Sequence, residues 1–142
     1  MRKDAGRVVS TKYNIKGRMW IAKGEETFLG YGRIVLLERI KEYGSITRAA
    51  KSMNMSYRHA WELVESMNRQ AGSPLVETAT GGKGGGGAFI TPMGEKAITT
   101  FWEIYRGFNR NLANLSNHLF ELHGTKKCLK ESKTPATPFG KE

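Results

Sequence analysis

The sequence predicts a mainly α-helical fold with a small β component. Three patterns indicate this class: two short amphipathic helical segments separated by a turn, two β-rich runs around a glycine-rich stretch, and an apolar repeat through the last helical segment. Two amphipathic helices joined by a turn of about three residues make a helix-turn-helix, and a β-hairpin after them adds a wing. We therefore predict a winged helix-turn-helix with a long C-terminal dimerisation helix.

The N-terminal part is predicted to contain two strands and a helix. Residues 1–12 are polar and basic and are expected to form a flexible N-terminus. Apolar and polar side chains alternate over Tyr13–Ile21, which predicts a strand, and Phe28–Leu29 is expected to pair back on it. A broad apolar stripe predicts the first helix over Arg33–Tyr43, and Gly44 is expected to end it.

Two further helices are predicted directly after the first. Ser45 is expected to cap a short helix that ends at Asn54, and Ser56 is expected to cap a third helix that ends at Gly72. Apolar side chains recur at helical spacing in the third helix and predict its inner face. They are Ala60, Leu63, Val64, Met67 and Ala71.

A hairpin with a glycine-rich tip is predicted after the third helix. Its arms are Leu75–Ala79 and Ala88–Thr91, two β-rich runs on either side of residues 80–87. With the preceding elements, this wing completes a predicted DNA-binding domain over residues 13–91.

The last helix is predicted to carry a seam for a second helix. Thr91 at the cap position and Pro92 at the first helical position predict where the helix begins. Apolar residues then recur at alternating spacings of three and four as far as Leu122, which is a heptad pattern. One small domain cannot cover such a stripe, so we predict that residues 92–123 pair with a second copy. The predicted dimerisation residues are Phe101, Tyr105, Phe108, Leu112, Leu115 and Leu119.

The charge of the chain favours a polyanionic partner. Lysine and arginine outnumber the acidic residues by 23 to 13, for a formal net charge of +10, and residues 124–142 are predicted to be a disordered basic tail. Such a balance favours nucleic acid over a membrane. No apolar run approaches the roughly 20 residues of a membrane span, and the single Cys128 suits a reducing compartment. We therefore expect a cytoplasmic protein.

Two sequence runs resemble the ModE family of molybdate-responsive bacterial and archaeal transcription regulators. They are GSITRAAKSMNMSYRHAW at residues 44–61 and TGGKGGGGA at residues 80–88, and the first is also similar to the helix-turn-helix of LysR-type regulators. The resemblance implies DNA binding. Full-length members carry C-terminal molybdate-binding domains with an oligonucleotide-fold barrel, whereas only polar residues 124–142 follow the last helix here. We expect that molybdate sensing does not carry over to this chain.

The start of the third helix is the predicted recognition surface, because such residues face base edges in the major groove. Ser56, Tyr57, Arg58, Trp61 and Glu62 lie opposite its apolar face. Arg58 can donate to guanine O6 and N7, and Glu62 can accept from cytosine N4. Two alternatives stay open: Trp61 as a core residue and Glu62 as a merely solvated one.

Phosphate contacts are predicted at two further places. Ser45 and Thr47 open the second helix, where free N–H groups attract anions, and Arg48 adds charge; plain capping is the alternative. Lys83 in the glycine tip is expected to reach the DNA backbone or minor groove, with a linker as the alternative. The tip is not a nucleotide-binding loop, because Gly84 stands where that motif needs serine or threonine.

No catalytic or metal-binding set is evident. The three histidines and Cys128 do not make a metal constellation, and we expect no enzyme activity and no cofactor. The preferred function is sequence-specific binding of double-stranded DNA by a homodimeric regulator. An adaptor for other proteins and a non-specific nucleoid-type binder are the alternatives, and any separate effector-binding protein is unknown.

Overall fold

The computed structural model describes residues 13–79 and 87–119. The predicted flexible N-terminus, the glycine tip from Thr80 to Gly86 and the predicted basic tail lie outside these ranges. The described residues belong to two compact units, one of residues 18–107 and one of residues 13–17 with 108–119. The predicted domain boundary between residues 91 and 92 stays a prediction.

The first unit begins with a small antiparallel hairpin. Strand β1 (Ile21–Lys23) pairs with β2 (Glu26–Leu29), and Gly24 turns the chain at φ 63°. The prediction of a strand over Tyr13–Ile21 is wrong for residues 13–20, which lie in no strand. Alternation alone does not make a strand, because its backbone groups also need a paired neighbour, and β2 pairs only from Ile21 onward.

Three helices follow, of which α1 begins two residues before the predicted Arg33 and α2 ends two residues before the predicted Asn54. They are α1 (Tyr31–Tyr43), α2 (Ile46–Ser52) and α3 (Tyr57–Ala71). Gly44 ends α1 in the left-handed region and donates its N–H to Ile40 O. Ser45 Oγ and Ser56 Oγ each accept the N–H three residues ahead, at 3.1 and 3.0 Å, so the two predicted serine caps are confirmed.

The core forms where these helices meet the wing and the last helix. The α3 prediction is correct for Ala60, Val64 and Met67, which are buried, while Leu63 and Ala71 are partly buried against the core. Gln70 is also buried and was not predicted to be. The largest fully buried side chains are Phe101, Ile34, Leu36, Leu37, Ile40, Met67 and Leu75.

The wing hairpin is confirmed as far as it is described. Strand β3 (Val76–Ala79) pairs antiparallel with β4 (Gly87–Ile90), and Val76 and Ala88 face the core. Ala88 donates its N–H to Gly44 O at 3.0 Å, which docks the wing on the end of α1.

The last helix, α4 (Pro92–Ser116), begins where predicted, because Thr91 Oγ1 accepts from Gly94 N–H at 3.0 Å. It continues as a 3₁₀ turn over Asn117–Leu119, and the predicted end at residue 123 lies outside the described residues. Phe101 is completely buried, so it fills the core of its own unit and does not lie on an open seam. The fold is thus a winged helix-turn-helix followed by a long helix.

Residues 13–17 and 108–119 form the second unit. Ile15 donates its N–H to Ser116 Oγ at 2.9 Å, and Ser116 Oγ donates to Leu112 O at 2.8 Å. Gly17 lies so close to the helix that a Cβ there would be 3.3 Å from Phe108 Cζ and 3.6 Å from Leu112 Cδ1. The N-terminal segment therefore covers part of the apolar stripe of this unit.

Candidate nucleic-acid interface

The predicted recognition residues on the outer face of α3 are exposed to solvent. Tyr57 is 51% exposed and Trp61 is 43% exposed, so Trp61 is not a core residue. The side chains of Arg58 and Glu62 are 82% and 54% exposed. The opposite face of α3 is buried against the core, so a ligand can meet α3 on its exposed face.

Arg58 and Glu62 are not independent side chains in the structure. Arg58 Nε donates to Glu62 Oε2 at 3.2 Å, across one turn of the helix. The sequence analysis predicted separate roles, Arg58 for guanine and Glu62 for cytosine. In the structure the two side chains form an ion pair.

The start of α2 presents Thr47 and Arg48 to solvent. Ser45 is half-buried, and its hydroxyl oxygen already serves as the helix cap. The Arg48 guanidinium carbon lies 5.5 Å from the centre of the Tyr43 ring, a cation–π contact that orients the charge. Because α2 has only seven residues, any phosphate contact here depends on these side chains more than on a helix dipole.

The C-terminal half of α3 is tied to the wing by a side chain that the sequence did not single out. Asn68 Oδ1 accepts the N–H groups of Leu75 and Val76 at 2.8 and 3.2 Å, and Asn68 Nδ2 donates to Val76 O at 3.0 Å. These hydrogen bonds hold α3 and the wing at a fixed distance. The sequence feature that could have identified Asn68 is a polar residue beside an apolar helical stripe, next to the buried Met67.

The end of α3 is also held by the N-terminal hairpin. Gln70 Nε2 donates to Thr27 O at 2.7 Å and to Ser66 Oγ at 3.0 Å, and Lys23 Nζ donates to Gln70 O at 3.0 Å. Arg33 reaches the same hydroxyl of Ser66 at 3.1 Å. The hairpin thus anchors α3 from the side opposite the wing.

An ion pair completes this anchor. Arg69 donates to both carboxylate oxygens of Glu26, at 3.3 and 3.0 Å. The hydrogen bond with Arg69 holds the pKa of Glu26 below its usual value, and the same contact raises the pKa of Arg69. Burial lowers the pKa of Arg33, which nevertheless stays charged at neutral pH.

The wing tip with Lys83 lies outside the described residues, so its predicted contact stays a prediction. Within residues 13–79 and 87–119, no group of three or more histidine, cysteine or acidic residues is placed to hold a metal. No helix in the same part of the chain is long and apolar enough to cross a membrane.

Comparison with known proteins identifies the type of domain. Residues 32–95 match the family model of the bacterial regulatory helix-turn-helix protein, lysR family. This range runs from the second residue of α1 through α2, α3 and the wing into the first turn of α4. Among solved structures, ArgP from Mycobacterium tuberculosis is similar over 58% of this chain and 29% of that chain, with a TM-score of 0.42 and 18% sequence identity.

Curated relatives are similar to more than half of this chain. The molybdenum-pterin-binding protein MopB of Rhodobacter capsulatus is 41% identical over 91 residues, which is 64% of this chain and 34% of that protein. The molybdenum transport protein ModE of Azotobacter vinelandii is 37% identical over 107 residues, 75% of this chain and 40% of that protein. The DNA-binding transcriptional dual regulator ModE of Escherichia coli (strain K12) is 43% identical over 77 residues, which is 54% of this chain and 29% of that protein. The chain thus spans two fifths or less of the length of these relatives.

Proposed function

We propose, from the premise that this chain carries the helix-turn-helix domain of the ModE family, that it binds double-stranded DNA sequence-specifically as a homodimeric transcription regulator. The observation that carries the proposal is the open outer face of α3, where Tyr57, Arg58 and Trp61 are exposed together on a helix whose other face is buried.

The N-terminal half of α3 would enter the major groove. Arg58 has the donor geometry for guanine O6 and N7. Tyr57 can contact a phosphate or a thymine methyl group, and the indole N–H of Trp61 can donate to the backbone. Ser56 keeps its hydroxyl proton available while its oxygen caps the helix. These four residues supply both base contacts and the phosphate contacts that set the register.

The flanking elements would add contacts to the backbone. Thr47 and Arg48 are exposed at the start of α2, and Tyr43 holds the Arg48 charge in place. Lys83 would contact the backbone or the minor groove. A formal net charge of +10 supports such contacts, because each neutralised phosphate releases counterions.

Dimerisation is proposed through the C-terminal part of α4. Phe108, Leu112, Leu115 and Leu119 follow heptad spacing and are only half-buried. Phe101 is left out because it fills its own core, and Tyr105 packs against the rings of Tyr31, Phe101 and Trp102. A dimer would place two recognition helices on half-sites about 34 Å apart.

The names of two relatives mention molybdenum, which is a property of those proteins. For these 142 residues, the absence of molybdate sensing stays a prediction. Calorimetric titration of molybdate into the protein is expected to give no binding heat, and a stoichiometric signal would contradict it.

A selection experiment tests the proposed function. The protein is mixed with a randomised pool of duplexes, bound fragments are enriched over several rounds, and the affinity of the consensus is compared with that of a scrambled duplex of equal length and composition. Specific reading predicts a two-half-site consensus that binds at least tenfold tighter. Equal affinities would indicate a non-specific nucleoid-type binder, and no binding would favour the adaptor alternative.

A further inference from the structure

We propose that Glu62 is a positioning residue for base recognition, which holds the Arg58 guanidinium by its Nε so that the two terminal nitrogens face the DNA. This inference rests on the proposed function and deepens it. It assigns guanine specificity to a pair of residues on α3 and gives Glu62 a role without a DNA contact of its own.

The geometry of the contact leaves the useful end of Arg58 free. A guanidinium carries five N–H groups in one plane, one on Nε and four on the terminal nitrogens. Glu62 Oε2 accepts from Nε at 3.2 Å. Among residues 13–79 and 87–119, the terminal nitrogens of Arg58 have no hydrogen-bond partner. Those two nitrogens form the fork that matches guanine O6 and N7.

The pair contributes little to the helix itself. Both side chains are largely exposed, and exposed pairs one turn apart stabilise helices weakly. The basic residue precedes the acidic one, which is the less favourable order along a helix. The main consequence of the contact is therefore the direction in which the guanidinium points. In a groove from which water is excluded, the same ion pair becomes stronger.

Orientation of Arg58 before binding improves discrimination. A free arginine side chain loses rotamer freedom when it docks, and part of this loss has already occurred when Glu62 holds it. The carboxylate also has an opposite effect, because its negative charge is repelled by every phosphate near it. Glu62 therefore should weaken binding to all duplexes while increasing the preference for the right base.

These opposed effects can be measured with four variants: Arg58→Ala, Glu62→Gln, the double variant, and Glu65→Gln as the matched control. Glu65 is exposed on the same helix and has no hydrogen bond to Arg58, so its substitution removes the same charge without touching the pair. The probes are the duplex selected by the wild-type protein, every single-base-pair substitution of it, and a scrambled duplex.

The expected result is specific to one base pair. Arg58→Ala should reduce discrimination about 5- to 150-fold at one G·C pair of each half-site. Glu62→Gln should reduce it about two- to tenfold at that same pair while strengthening binding to the scrambled duplex. Glu65→Gln should strengthen all duplexes alike and leave discrimination unchanged. In the Arg58→Ala background, Glu62→Gln should cause no further loss.

Three results would overturn the inference and leave the proposed function intact. Glu62→Gln could alter preference at a different base pair, or add its full effect to Arg58→Ala; either outcome would mean that Glu62 contacts the DNA directly. Glu62→Gln could also behave like Glu65→Gln, which would make the pair irrelevant to recognition. A wild-type protein that discriminates no duplex at all would instead refute the proposed function, and the inference with it.

Discussion

Asn68 and Val76 exchange two hydrogen bonds, with Asn68 Nδ2 donating to Val76 O at 3.0 Å and Asn68 Oδ1 accepting from Val76 N–H at 3.2 Å. The amide side chain of a helical residue thus pairs with the first residue of β3 as a neighbouring strand would. The same oxygen also accepts from Leu75 N–H, at 2.8 Å. A single side chain therefore satisfies three backbone groups where the chain passes from α3 to the wing.

Replacement of Asn68 should destabilise the domain. In Asn68→Ala, the N–H groups of Leu75 and Val76 lose their partner while their residues stay 1% and 3% exposed, which we expect to cost about 1–3 kcal/mol in the free energy of unfolding. Urea denaturation measures this loss. Asn114→Ala, on the exposed face of α4, is the control and should stay within about 0.5 kcal/mol of wild type. Equal values for the two variants would contradict the role of Asn68.

The contact between Glu26 and Arg69 should make stability depend on pH. The pKa of Glu26 is lowered by its hydrogen bond with Arg69, so between the folded and unfolded pKa values the unfolded chain binds more protons. The contribution is therefore complete above the unfolded pKa, near 4.5, and is lost as the pH falls through the lower folded pKa. In thermal melts from pH 6 to pH 3, Glu26→Gln should be less stable than wild type at pH 6, and the difference should shrink as the pH falls through the lowered pKa of Glu26.

Glu25 provides the control for that titration. It is exposed in the same turn and makes no ion pair among the described residues. Because this exposed side chain has no ion pair to lose, Glu25→Gln should stay within about 0.5 kcal/mol of wild type at pH 6. If Glu26→Gln and wild type stay equally far apart at pH 6 and pH 3, the ionised carboxylate is not what stabilises the hairpin on α3.

Two glycines near helix starts should respond in opposite ways to alanine. A Cβ at Gly94 would collide with Leu75 O and lie 2.6 Å from Ile90 Cγ2, so Gly94→Ala should cost about 1–3 kcal/mol. A Cβ at Gly32 meets nothing within 4 Å, and alanine there should be neutral or stabilise by up to about 1 kcal/mol. Chemical denaturation of both variants decides this. An unchanged free energy of unfolding in Gly94→Ala would show that β4 and α4 can move apart without loss of stability.

Whether a contact could be predicted from the sequence depended on how far apart its residues lie along the chain. The caps by Ser45 and Ser56 and the left-handed Gly44 are set by neighbours within four residues, so sequence reasoning found them. The contacts of Asn68 reach seven and eight residues ahead, to Leu75 and Val76. The contact of Gln70 reaches back to Thr27 in β2. Both exceed the range of a helical pattern, which assigned neither side chain a partner. Phe101 kept the heptad spacing, but spacing does not distinguish a core of the same chain from a partner helix.

Lys83 should contribute to DNA affinity without contributing to specificity. A lysine that neutralises one phosphate adds about 0.9 to the slope of log affinity against log salt, whatever the base sequence. In Lys83→Ala, binding to the selected and scrambled duplexes should weaken equally, and the slope should fall by about one. Fluorescence anisotropy between low and moderate salt measures both quantities. An unchanged slope would remove Lys83 from the set of phosphate contacts.

Leu115 provides the sharpest test of dimerisation. It is half-buried, it lies on the heptad stripe, and Phe108 and Leu112 of the same stripe are already approached by Gly17. A lysine at this position would place a charge in an apolar seam, where an unpaired charge is strongly unfavourable. Leu115→Lys should therefore sediment as a monomer at concentrations where wild type is a dimer. Because the two half-sites are then bound by separate monomers, the affinity of Leu115→Lys for the selected duplex should also fall about 100-fold or more.

Asn114→Lys is the matched control. It adds the same charge at the neighbouring exposed position and should remain dimeric. A Leu115→Lys protein that is folded by circular dichroism and still dimeric would mean that the two copies associate through another surface.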